Sequence, residues 1–104
     1  MGVDVALVSG NHEPIQEVFD NHAVVSKLAM SAWPKLQSSV CLRFVDPCGD
    51  AVFNQAQISH LLAELRQEEG RQTDARFREH LQKIIRLVEP AVGRAHTYIK
   101  FIGD

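Results

Sequence analysis

Two carboxylates, Asp46 and Asp50, bracket the run Asp46-Pro47-Cys48-Gly49, close enough to hold a cation or to act as an acid/base pair. The same run also reads as a type I turn. Asp at the first position bonds backbone N–H groups ahead of it, Pro at the second has φ already set, and Gly is favoured at the fourth. On that reading Asp46 stabilises the turn and Asp50 is a solvated loop residue. A Mg²⁺ or Ca²⁺ ion wants more oxygen ligands than one short turn supplies.

The other reactive side chains do not form a pattern. His12, His22, His60, His80 and His96 show no H-x-H or HExxH spacing, and His60 and His80 lie beside apolar helical stripes, where a boundary position explains them without a ligand role. Cys41 reads as a small core residue and Cys48 as an exposed turn thiol; an extended chain between them would hold their Cα atoms beyond disulfide reach. No Walker A sequence, GxGxxG, G-x-S-x-G or EF-hand loop is present. The sequence therefore assigns no catalytic residue, no metal ligand and no cofactor, and leans away from an enzyme.

A different kind of candidate closes the chain. His96, Tyr98 and Lys100 alternate with Thr97, Ile99 and Phe101, so a strand over 95–102 puts the first three on one face. That face is either a solvated sheet surface or a recognition surface, since tyrosine buries much area at little entropic cost. Arg43 and Cys41 would extend it from a neighbouring strand. The candidate binding residues are thus Asp46, Asp50, His96, Tyr98 and Lys100.

The elements that must position these residues are partly legible. Alternation predicts a first strand over 2–9 and a central strand over 40–45, the latter returning through the turn into a short antiparallel strand at 51–53. Ile15, Val18 and Phe19 suggest a helical turn or loop. Val24, Val25, Leu28, Ala29 and Ala32 make a helical stripe entered at Asp20-Asn21 and ended by Trp33-Pro34. Strand, helix and strand over this stretch suit a right-handed crossover between parallel strands. Asn54 with Gln57 forms a capping box, and Phe53 with Ile58 a hydrophobic staple, at the start of a second helix. That helix carries Ile58, Leu61, Leu62 and Leu65. Gly70 is placed after its end, with Glu68-Glu69 fraying in its last turn. Thr73-Asp74 caps a third helix with Phe77, Leu81, Ile84, Ile85 and Val88, stopped at Pro90, and the short linker makes the two helices antiparallel. The fold class expected is α+β: a two-layer sandwich with a small mixed sheet of three to four strands and three helices mostly on one face, as one domain over 1–104.

Composition narrows the class of partner. The chain has 104 residues, 45% apolar and 23% charged, with a net charge of −2, ordinary values for a globular protein. Residues 1–52 carry three Lys/Arg against six Asp/Glu, and residues 53–104 carry eight against seven, which is not the clustered basic footprint of a nucleic-acid binder. No apolar run reaches the ~20 residues of a membrane helix, the start lacks a basic signal-peptide region, and Ala6 stands where myristoylation wants Ser or Thr. These features point to the cytoplasm, with neither nucleic acid nor membrane as partner.

The segments VDPCGDAVFNQAQ and HTYIKFIGD, about a fifth of the chain, resemble those of small uncharacterised bacterial proteins of this length. Proteins of this kind are often similar to immunity proteins that neutralise bacterial toxins. The resemblance implies a protein-binding module that covers a toxin's active site with acidic residues such as Asp46 and Asp50, or with the His96-Tyr98-Lys100 face. Two alternatives remain open: a small-molecule or metal-binding domain using the Asp46–Asp50 turn, and a homodimer joined through its exposed sheet face.

Overall fold

The computed structural model describes residues 2–103. Its sheet has four strands, β1 (Asp4–Ser9), β2 (Pro14–Val18), β3 (Asp50–Phe53) and β4 (Thr97–Ile102), in the spatial order β2-β1-β4-β3. Every pairing is antiparallel, so the sheet is not mixed and the expected parallel crossover does not form. The helices are α1 (Val24–Met30), α2 (Gln55–Arg71) and α3 (Ala75–Val88). The α+β class, the four strands and the three helices packed against the sheet agree with the expectation from sequence.

β1 and β4 form the centre, paired from Asp4↔Ile102 to Ser9↔Thr97. Val5, Leu7, Ile99 and Phe101 face the helices, where they meet Val25, Leu28, Trp33, Ile58, Leu61, Leu65, Leu81, Ile84 and Val88 in one apolar core. Phe53 meets Phe101 there edge to face, at 5.7 Å between centroids.

Two of the expected elements change. The segment 14–18 is extended, not helical, because Val18 pairs with Val5 and Gln16 with Leu7, and Pro14 is tolerated as the first residue of an edge strand. The segment 40–45 is no strand. Phe44 N–H bonds the Cys41 carbonyl and Val45 N–H that of Leu42, a 3-10 turn over Leu42–Phe44. Cys41, Leu42 and Val45 enter the core, while Val40 and Phe44 point to solvent at 53% and 60% exposure. An apolar alternation here serves a loop that is half anchored, and β3 pairs with β4 instead.

The caps explain the helix starts. Asn54 accepts from Ala56 and Gln57 N–H while Gln57 accepts from Asn54 N–H, the full capping box, and Asp74 accepts from Arg76 and Phe77 N–H. At α1 the residue before the helix, Ala23, is left-handed and offers no side-chain cap. Asp20 substitutes from a distance. Its buried carboxylate accepts from Val25 and Ser26 N–H at 3.2 and 3.1 Å and from Val3 N–H at 2.9 Å, joining α1 to the entry of β1. α2 runs past Gly70 to Arg71, and Glu68 does not fray: it is 3% exposed and accepts from the Trp33 indole and from Arg71. Gln82 bonds Glu69 and Arg66 bonds Glu89, so α2 and α3 run antiparallel as the short linker requires.

Asp20→Ala leaves two buried N–H groups and one half-buried one without their partner. Such a loss costs about 3 kcal/mol when the acceptor is charged. Urea unfolding is expected to show that drop, with much of the loss retained in Asp20→Asn, whose amide replaces one acceptor by a donor.

Candidate functional site

The face of the sheet turned away from the helices follows from the register. One row across it reads Glu17, Ala6, Lys100, Val52; the flanking rows read Val8, Tyr98 and Asp4, Ile102, Asp50. Ala6 and Val8 are buried, at 1% and 2% exposure, yet belong to no part of the helix-side core. Neighbouring side chains on this second face shield them. Val52 is 40% exposed, and Tyr98, Lys100 and Ile102 are half-buried.

Contacts within the face hold its polar groups in place. The Lys100 ammonium lies 3.6 Å from the Asp50 carboxylate across the β3–β4 pair. The His12 ring stacks on Tyr98 at 5.7 Å and 14°. His12 can lie there because it occupies a left-handed position in the β1–β2 turn, at φ 62°, a conformation for which histidine is enriched. The face thus has an apolar end of Val8 and Tyr98, a middle row in which Lys100 lies between Ala6 and Val52, and an acidic end where Asp4 and Asp50 flank Ile102. Glu17 stands on the β2 side, and the Asp4 carboxylate also accepts from Asp20 N–H at 2.8 Å.

Three of the five candidate residues thus come together: Asp50, Tyr98 and Lys100. His96 does not join them on the strand. It sits before Thr97 with φ 58°, where it lines, together with Tyr98, a hollow of about 240 Å³ at the start of α2. Asp46 serves the turn, its carboxylate accepting from Cys48 N–H at 2.8 Å and its carbonyl from Gly49 N–H at 3.3 Å. The turn is in turn locked to the end of β4, where Gly103 N–H bonds the Gly49 carbonyl at 2.9 Å. A Cβ at Gly103 would lie inside contact distance of the Asp46 and Gly49 backbone, so only glycine fits there. Arg43 and Cys41 lie off the sheet: Arg43 covers the Phe44 ring at 4.7 Å, and Cys41 is buried. Among the described residues no three His, Cys, Asp or Glu side chains converge as metal ligands.

Sequence reasoning missed two carboxylate centres. Glu64 accepts from the Ser39 hydroxyl at 2.6 Å and from the N–H groups of Val40, Cys41 and Leu42 at 2.8, 3.3 and 2.9 Å. Burial acts to raise its pKa, but the hydrogen bonds from Leu42, Ser39, Val40 and Cys41 outweigh that and hold it below the usual glutamate value. Burial, with the Glu64 charge beside it, pushes the Cys41 thiol up to about 11. The second centre is Asp20 with His80. His80 Nε2 lies 3.3 Å from Asp20 Oδ1 but out of line for a hydrogen bond, leaving this buried nitrogen without a partner. Burial lowers the His80 pKa; Asp20 opposes that, Lys83 and His22 add to it, and Asp4 opposes it.

Comparison with known proteins adds no relative: no family model, curated protein or solved structure matches the chain. No helix among the described residues is long and apolar enough to cross a membrane.

Two measurements check the buried groups. In the folded protein a thiol reagent at neutral pH is expected to modify Cys48 alone, with Cys41 reacting only after unfolding. The folded chain also favours neutral His80, whereas the unfolded chain protonates near the ordinary 6.5. Unfolding therefore takes up a proton as the pH falls through that value, and stability declines from there down to the lower folded-state pKa. A second decline is expected below about 4.5, the ordinary glutamate value, as Glu64 loses its charge. Thermal melts across this range test both, and His80→Gln is expected to remove the first decline.

Proposed function

We propose that the chain is a protein-binding module of the immunity type, docking a toxin's basic surface on its open sheet face. The observation supporting this reading is the pattern of that face. Tyr98 and Val8 make one end of the face, Lys100 stands in its middle row between Ala6 and Val52, and Asp4 and Asp50 flank Ile102 at the other end, with Glu17 on the β2 side and Lys100 held by Asp50. An exposed tyrosine beside small apolar residues is an anchor of the kind that carries interface energy, and the charged groups next to it select the partner. The stack on His12 fixes the Tyr98 ring before any partner arrives, reducing the entropy lost on binding.

Charge selects the partner. The face carries three carboxylates against one ammonium, so packing a second copy on the same face sets like charges against each other. A basic surface meets complementary charge, and an acidic cover over a basic active site is how an immunity protein blocks a toxin. The homodimer reading is weaker for the same reason.

The test is co-purification with the product of the neighbouring gene, followed by titration of the purified pair. Co-elution, protection from that protein's toxicity, and an affinity that falls with added salt are expected. Tyr98→Ala is expected to cost about 2 kcal/mol of binding, measured at a temperature where the variant, which loses a half-buried ring, is still folded by circular dichroism. Failure of the adjacent products to bind or be neutralised would overturn the immunity reading.

A further inference from the structure

The molecule has a second surface of opposite charge, at the free edge of β2. β2 ends the sheet and is hydrogen-bonded on one side only, to β1. Beside its unpaired edge runs a cleft of about 490 Å³ between β2 and α3, lined by Gln16, Glu17, Val18, Phe19, Lys83 and Arg86 among others, so its two cations stand against one carboxylate. Phe19 is 57% exposed, while Leu87 is buried at 1%. Lys83 and Arg86, one turn apart on α3, have no anionic partner within ion-pair distance among the described residues; Arg66 and Arg71 nearby on α2 are both paired.

We infer that this cleft takes an extended acidic segment of a partner protein, added to the sheet as a strand on β2 with its carboxylates on Lys83 and Arg86. An open strand edge supplies main-chain donors and acceptors, and pockets for alternate side chains supply selectivity. The alternation of β2 sets the pattern of the added segment. Gln16 and Val18 share the helix side with Leu7 and Val5, whereas Glu17 shares the open face with Ala6. Side chains of the added strand on the helix side meet two cations. Those on the other side meet Glu17 and must not be acidic. The segment is therefore acidic at every second residue and apolar between, about five or six residues long for an edge of this span.

The same charges argue against a second copy as occupant. Two β2 edges joined antiparallel are related by a two-fold axis perpendicular to the sheet. Both helix layers then lie on one side, and α3 of one copy faces α3 of the other with Lys83 and Arg86 on each. Like charges brought together in this way oppose the pairing.

Four labelled six-residue peptides test the inference on the intact protein: alternating Glu and Val, alternating Lys and Val, and the Glu-Val peptide N-methylated either on its Glu residues or on its Val residues. Anisotropy is expected to show binding of the Glu-Val peptide, at least about tenfold weaker binding of the Lys-Val peptide, and inversion of that order in K83E/R86E. Backbone pairing uses only the alternate amides that face β2, so methylating one residue type is expected to abolish binding and methylating the other to leave it. Amide exchange at residues 15–19 is expected to slow in the complex, and Tyr98→Ala to leave binding unchanged. Absence of binding at millimolar peptide, equal affinity for the acidic and basic peptides, equal effects of the two methylations, or protection at Val52 and Tyr98 in place of 15–19 would each overturn it. The methylation series needs no variant, so a folding defect in K83E/R86E does not blunt the test.

Discussion

Four donors from the connection between the first helix and the turn converge on one carboxylate, that of Glu64. Buried or half-buried backbone N–H groups need acceptors, and the usual solution for an apolar stretch is a sheet ladder. Here the middle of α2 supplies the acceptor, so Cys41 and Leu42 enter the core without joining a strand. Because the segment stays out of the sheet, the far edge of β4 is left for β3, and the turn at 46–49 delivers Asp50 to the open face beside Lys100. Asp20 does the corresponding work at the other end, holding the entries of β1 and α1 on one buried carboxylate. Each carboxylate accepts from several N–H groups at once, a strong arrangement because every bond is to a charged acceptor.

These two centres also mark where the sequence was hard to read. Local chemistry was legible wherever neighbours decide the outcome. The Asn54–Gln57 box, the Asp74 cap and the Asp46-Pro47-Cys48-Gly49 turn all form as their residues predict, and so does the alternation of β4. What depends on distant partners was misread. Ile15, Val18 and Phe19 carry helical spacing, but pairing with β1 overrides it. Val40 to Val45 carry a strand pattern, but Glu64, more than twenty residues away, captures their N–H groups. One signal pointed that way: Glu64 and Glu68 follow Leu61 at intervals that place both beside the apolar stripe of α2, where a carboxylate needs a partner. His80 was read as a helix-boundary residue and is instead buried against Asp20.

The candidate site divides along the same line. Tyr98, Lys100 and Asp50 lie on one face because strand alternation and a simple antiparallel pairing put them there, both of which sequence can suggest. Ala6, Val8 and Glu17 complete the face only through the registers of β1 with its two neighbours. His96 departs because it is itself left-handed, so that the strand begins only after it, a conformation histidine favours more than most residues but one that strand alternation alone does not reveal.

The sheet thereby separates charge that is nearly balanced over the whole chain. Asp4 and Asp50 stand on the open face, whereas Lys83 and Arg86 stand on α3 on the other side of the sheet, with Glu17 at the β2 edge where the two surfaces meet. A net charge of −2 hides this division, since composition sums over surfaces that a folded sheet keeps apart. The separation bears on association directly. Face-to-face contact of two copies opposes carboxylates, and edge-to-edge contact of two β2 strands opposes cations, so both simple two-fold arrangements of the sheet meet repulsion. A partner that places basic groups over the open face and an acidic strand along the edge meets none. On both proposed readings, charge favours a different protein over a second copy as the partner.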